Sequence, residues 1–227
     1  MQKKFPWCFF DLALHRKKTG NMSEEVKSKI LNGAGALFLK FGFKSITMDD
    51  IARELGISKK TLYQFFEDKP SLVDHAVMNH IHAEENACLA INHQETNPVA
   101  YMLMITESFS DVKKQINQSI LFDLRKYFKP TWDKLNLFRM EFVYKQVLEN
   151  IIRGKEMGFY HAGIDENLTA RFYISLVDFM LNPDNYANAD VDLKSVHAEM
   201  MRYHLRSICT DKGMKLLMKS SLYPNNK

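Results

Sequence analysis

An all-α protein is predicted by three observations. Apolar residues recur at spacings of three and four almost throughout the chain, no stretch alternates as a half-buried strand would, and helix breakers fall between the periodic segments. With 46% hydrophobic residues among 227, the chain can bury a core, and its 9 Gly and 6 Pro exclude a collagenous or low-complexity protein. No uncharged apolar run approaches the roughly 18 residues of a membrane span, so no membrane partner is expected. The expected architecture is a small N-terminal unit followed by a larger helical bundle.

The elements follow in order. Residues 1–21 read as a tail, disordered or upstream of a native start at Met22, where Ser23, Glu24 and Glu25 make a good helix opening. Pro6 and Asp11 interrupt its apolar run and no small-residue cleavage site follows, which argues against an export signal. The competing reading of this tail is a basic arm on phosphates. The formal net charge of +4 resides wholly in it, as Lys3, Lys4, Arg16, Lys17 and Lys18 against Asp11. The remaining chain is neutral, so bulk charge gives no support for nucleic-acid binding and the argument must rest on individual positions.

Val26, Ile30, Ala34, Leu37, Phe38 and Phe41 mark the apolar face of a first helix that stops at Gly42, and Gly33 and Gly35 within it predict a close helix crossing. Further helices are predicted at 71–92, 98–117, 119–128, 132–156, 166–181 and 192–209, with a short one at 211–219. They are separated by Asn97-Pro98, Pro130, Gly158, Gly163 and Asn182-Pro183-Asp184.

Between the first helix and Pro70 lie two short helices. Thr47 caps one, with Asp49 and Asp50 in its first turn; Gly56 breaks the chain; Ser58 caps the next. Ile51, Leu55, Ile57, Leu62 and Phe65 or Phe66 can form a shared core, with Ala52 small where the helices cross. This is a helix-turn-helix, and a pair so short needs the first helix as a third wall. Its second helix would enter a major groove by the N-terminal end, where Lys59 and Lys60 stand, with Thr61, Tyr63 and Gln64 offering hydroxyl and amide groups to phosphates or base edges.

The stretch Ile51-Ala52-Arg53-Glu54-Leu55-Gly56-Ile57-Ser58-Lys59-Lys60-Thr61-Leu62-Tyr63-Gln64-Phe65-Phe66-Glu67-Asp68-Lys69-Pro70-Ser71-Leu72 resembles the signature of the TetR family of bacterial transcription regulators. A weaker match, Arg153-Gly154-Lys155-Glu156-Met157-Gly158-Phe159-Tyr160 with Ile164 to Arg171, resembles that family's connection between its seventh and eighth helices. The resemblance implies an N-terminal three-helix DNA-binding domain over 22–70 and a ligand-binding, dimerising bundle over 71–227. It further implies DNA contacts at Thr47, Ser58, Lys59, Thr61, Tyr63 and Gln64, and a phosphate anchor at Lys69 opening a connector helix. Phe65 departs from the family pattern, in which many members carry His or another polar aromatic there.

The implied partners are double-stranded DNA with a palindromic operator, a second copy of the chain, and an unknown small-molecule effector. Met104, Phe109, Phe122, Phe138, Phe142 and Phe172 are candidates to line an effector cavity between bundle helices. Ala170, Tyr173, Ile174 and Val177 on one late helix, and Val196, Met200 and Tyr203 on the next, are candidates for the dimer face.

Other chemistries find little footing. No HExxH, ExxH, GxSxG, GxGxxG or phosphate-loop lysine is present, and no catalytic residue or cofactor is expected. His80 and His82 point to different helix faces, which makes a poor metal chelate and suggests surface residues. Cys8, Cys88 and Cys209 are odd in number and far apart, consistent with a reducing, cytoplasmic compartment. The resemblance implies a DNA-binding transcription regulator, expected to be a repressor released by a small-molecule effector. The alternative is a helical ligand- or partner-binding protein with a degenerate helix-turn-helix.

Overall fold

The computed structural model describes residues 22–94, 97–110, 119–185 and 193–223. Among them are eleven α-helices and no strand beyond a single antiparallel bridge between Tyr160 and Cys209. The helices are α1 (Met22–Phe41), α2 (Met48–Glu54), α3 (Lys59–Phe65), α4 (Lys69–Gln94), α5 (Pro98–Ser110), α6 (Ser119–Tyr127), α7 (Lys129–Phe138), α8 (Tyr144–Glu156), α9 (Glu166–Leu181), α10 (Leu193–Ile208) and α11 (Asp211–Leu217). The expected tail at 1–21 and the end of the helix expected over 98–117 lie outside the described residues.

Two boundaries differ from the expected ones for one reason. α4 and α7 begin at Lys69 and Lys129, so Pro70 and Pro130 stand inside first turns instead of ahead of the helices. A proline there loses no intrahelical hydrogen bond and its fixed φ suits the helix. Asp68 completes the start of α4 by accepting from the Ser71 N–H at 2.7 Å. The helix expected over 132–156 is two helices, α7 and α8, joined by a turn of π-helix at Arg139–Val143.

The described residues fall into two compact units. The first holds 22–84 and 119–136, and the second holds 85–110, 137–185 and 193–223. The division is not at the expected 70/71 boundary: the start of α4, all of α6 and most of α7 belong with the N-terminal helices.

In the first unit Ile30, Phe38, Ile51, Leu62, Phe66, Leu72 and Val73 are buried. A Cβ added at Gly33 would overlap the Leu55 side chain, so this glycine marks the close crossing its position suggested. Gly56, at φ +64°, turns the chain between α2 and α3 in a conformation that L side chains rarely adopt. In the second unit α8 packs on α9, and α10 on α5 and α9. Buried Tyr160 donates its hydroxyl to Asn150 Oδ1 at 2.9 Å, and the Asn150 amide donates to the Pro98 carbonyl at 3.0 Å. That chain of bonds satisfies polar groups that would otherwise cost free energy inside the bundle.

Candidate nucleic-acid interface

The local sequence sets α2 and α3 rigidly. Thr47 closes a reciprocal capping box: its hydroxyl accepts from the Asp50 N–H at 3.1 Å and donates to Asp50 Oδ2 at 2.6 Å, while its own N–H donates to that same carboxylate oxygen at 3.1 Å. The Thr47 side-chain and backbone bonds hold the Asp50 carboxyl below its usual range. Ser58 caps α3 by accepting from the Thr61 N–H at 2.9 Å, and the two hydroxyls lie 2.8 Å apart. These caps supply partners to helix-terminal N–H groups that have none within the helix.

Leu62 and Phe66 anchor the inner side of α3 and its exit, both fully buried, and Phe65 is half-buried. Lys59, Lys60, Tyr63 and Gln64 are exposed. At about 100° per residue these four lie within an arc of about 140°, whereas half-buried Thr61 points away from it. Among the described residues no side-chain hydrogen bond or ion pair engages Lys60, Tyr63 or Gln64. α3 therefore presents one amide, one phenol and two ammonium groups on a single outward face.

Two of the residues expected to contact DNA also bond within the chain. Lys59 Nζ donates to Asp49 Oδ2 at 2.5 Å, tying the start of α3 to the first turn of α2. Lys69 Nζ donates to the Lys44 carbonyl at 3.2 Å, and burial lowers its pKa while the Asp123 and Asp50 carboxylates oppose that shift. Lys69 thus clasps the turn between α1 and α2 at the start of α4.

Sequence reasoning missed the residues of α6 and α7 that hold this unit together. Asp123 on α6 is 5% exposed and accepts from the Lys44 N–H at 2.9 Å. The Phe43 ring lies 5.0 Å from Phe38 and 5.8 Å from Phe128. On α7, Thr131 and Lys134 donate to Asp74 of α4 at 2.9 and 2.7 Å. Lys44 and Asp123 are 79 positions apart, so no local pattern could have paired them.

Of the residues suggested for an effector cavity, Met104, Phe138 and Phe142 are half-buried in the second unit, and Phe138 stacks on Phe142 with ring centroids 5.3 Å apart. Phe122 belongs to the first unit and lies beneath the Lys126 ammonium. Phe172 is 66% exposed, so it lines no enclosed space within the chain. The Phe109 side chain is outside the described residues.

The suggested dimer face is largely internal. Ala170, Tyr173, Ile174, Val177 and Met200 are buried within the chain itself, Val196 is half-buried, and Tyr203 alone of that set is exposed. The three-and-four periodicity had traced the side of each helix that meets the core. The large apolar groups that α9 and α10 expose are Leu168, Phe172, Phe179 and Tyr203. His80, expected at the surface, is buried, with Nε2 3.0 Å from Glu84 Oε1, whereas His82 is exposed. Among the described residues no group of three His, Cys, Asp or Glu side chains could hold a metal ion. No helix there is long and apolar enough to cross a membrane.

Two capped short helices turned at a left-handed glycine, with a polar outward face on the second, define a helix-turn-helix protein. A family model describing bacterial regulatory proteins of the tetR family matches residues 30–76. The helix-turn-helix transcriptional regulator YhgD of Bacillus subtilis is 42% identical over 53 residues, covering 23% of this chain and 28% of that protein. The negative transcriptional regulator of the biofilm operon icaADBC, IcaR of Staphylococcus aureus, is 38% identical over 52 residues, again covering 23% and 28%. The match thus spans under a third of either relative's length. A transcriptional regulator of Saccharomonospora viridis solved with choline superposes with a TM-score of 0.66 at 17% identity, covering 82% of this chain and 99% of that one. Residues 30–76 thus match the tetR family model, and the chain shares its fold with the Saccharomonospora viridis regulator.

Proposed function

We propose that the protein is a transcription regulator that binds duplex DNA as a homodimer, acts as a repressor, and is released by a small-molecule effector. The observation that carries this reading is the outward face of α3, where Lys59, Lys60, Tyr63 and Gln64 stand exposed on a helix anchored by Leu62. Ammonium groups suit phosphates, and a side-chain amide can bond an adenine edge in two places. Thr47, Ser58 and Thr61 serve this face by capping and orienting the two helices. Lys69 serves it by holding the α1–α2 turn.

Dimerisation is assigned to the exposed side of α9, where Leu168, Phe172 and Phe179 recur at helical spacing, together with Tyr203 of α10. Large apolar groups gathered in this way mark an interaction surface. The effector is assigned to the second unit, with half-buried Met104, Phe138 and Phe142 as its contacts. A structural neighbour solved with choline supports the view that this fold accommodates small organic molecules. A reducing cytoplasm is the compartment in which such a regulator would meet its DNA.

Gel retardation with the DNA upstream of the protein's own gene tests the reading. A shifted band that unlabelled specific DNA abolishes, and random DNA does not, is expected. Equal competition by both would favour the alternative of a ligand- or partner-binding protein with a degenerate helix-turn-helix.

A further inference from the structure

Beside the turn between α1 and α2 the first unit carries a cluster that the helix-turn-helix does not use. Lys44 donates its ammonium to the Tyr127 hydroxyl at 3.2 Å and lies 5.0 Å from that ring's centroid. Lys126 lies 5.5 Å from the same ring and 5.1 Å from the ring of Phe122. All four side chains are exposed.

Their charges are not balanced locally. Among the described residues neither Lys44 nor Lys126 pairs with a carboxylate. The nearby acid, Asp123, is buried and faces the Lys44 backbone N–H and the Lys69 side. The next lysine along, Lys129, is already paired with Asp133. The hydrogen bond from Lys44 lowers the Tyr127 phenol from its ordinary pKa, as a concentration of positive charge would. Two like charges gathered on one neutral, exposed phenol are a standing electrostatic cost that a polyanion would relieve.

The cluster is also continuous with the candidate interface. Lys44 precedes the Thr47 cap by three residues, and its carbonyl receives the Lys69 ammonium at the start of α4. Asp123 fixes α6 to this turn, so the exposed end of α6 is held at a set place beside the starts of α2 and α4.

We infer that the DNA-binding surface extends onto α6, where Lys126 and Tyr127, together with Lys44, contact the sugar-phosphate backbone flanking each major-groove site. This rests on the proposed DNA-binding function. The contact is independent of base sequence: it adds affinity and salt dependence and leaves operator preference unchanged.

The test measures affinity against salt concentration for the full chain on two duplexes, one carrying an operator selected by the protein with long flanks and one trimmed to its half-sites. On the flanked duplex, Lys126→Gln should lower the slope of log affinity against log salt by about one, and Lys44→Gln with Lys126→Gln by about two. On the trimmed duplex both should match the parent protein, as should Lys215→Gln, an exposed lysine of the other unit, on either duplex. Unchanged slopes for the variants on the flanked duplex would overturn the inference and leave the cluster to an acidic protein partner. Equal losses on both duplexes would also overturn it, because the contact would then lie within the half-sites. Failure of the parent protein to bind either duplex would instead overturn the DNA-binding reading itself.

Discussion

The outer faces of α3 and α9 stand in the same solvent with opposite chemistry. α3 offers two ammonium groups, a phenol and an amide over a well-anchored apolar inner side, and α9 exposes Leu168, Phe172 and Phe179 over an equally well-buried one. Exposed polar groups cost nothing when free and gain by meeting phosphates and base edges. Exposed large apolar groups cost free energy until something covers them, at about 25 cal/mol for each Å² removed from water. On the proposed function the difference teaches that α3 would meet a hydrated polyanion and α9 a dry, self-complementary surface. Substitutions on the two faces should therefore fail in different ways.

The largest effect is expected from Phe172→Glu. The side chain is 66% exposed, so the protomer should keep its helicity and unfold within about 0.5 kcal/mol of the parent. Light scattering should nevertheless report a monomer at micromolar concentration. Operator affinity should fall by on the order of 10²- to 10⁴-fold, the advantage lost when two half-sites are no longer bound by one tethered pair. A persistent dimer would place the interface elsewhere. Ile174→Ala, two positions on and buried, should do the reverse: it should lower stability by about 2–5 kcal/mol in urea unfolding and leave assembly intact below its transition.

Acid should separate the two units as well. Burial lowers His197 and His204 of the second unit from 6.5 to about 4. In the unfolded chain both take up protons near 6.5, whereas in the folded chain both stay neutral until about pH 4. Their neutral burial therefore adds stability in full above pH 6.5, and that contribution is lost as pH falls toward 4. Between pH 7 and 5 the loss should be about 2 kcal/mol for each histidine. Urea titrations at the two values should show it, and H197F with H204F should flatten the profile over this window. A slope that survives both substitutions would mean that other groups carry it.

Legibility in the sequence followed how local the determinants are. The caps Thr47 and Ser58, the turn at Gly56 and the anchor Leu62 act within a few residues of one another, so the unit containing α2 and α3 could be read directly. The close crossing at Gly33 could be read too, because a glycine within an apolar helix face has few other uses. Apolar periodicity located α9 and α10 but named their inward residues, Ile174 and Met200 among them, since a buried stripe and an interface stripe share one spacing. The bonds from Asp123 to Lys44 and from Thr131 to Asp74 join residues 79 and 57 positions apart. Only the folded chain could show that α6 and α7 complete the unit holding the helix-turn-helix.

The smallest effects are expected on α3, and they decide what its polar face reads. Lys60 and Gln64 are both exposed and unengaged by other side chains, so replacing either with Ala should change stability by less than about 0.5 kcal/mol. Their effects on DNA should then differ in kind. Lys60→Ala should weaken specific and random duplexes alike and lower the salt slope by about one, because an ammonium neutralises a phosphate whatever the base beside it. Gln64→Ala should leave the salt slope unchanged and cost about 1–3 kcal/mol at one operator position, where all four bases should become more nearly equal. Binding each variant to operators substituted one position at a time, at fixed salt, separates the two outcomes. If Gln64→Ala weakened every duplex by the same factor, the amide would be a backbone contact, and base discrimination on this face would fall to Tyr63 or Lys59.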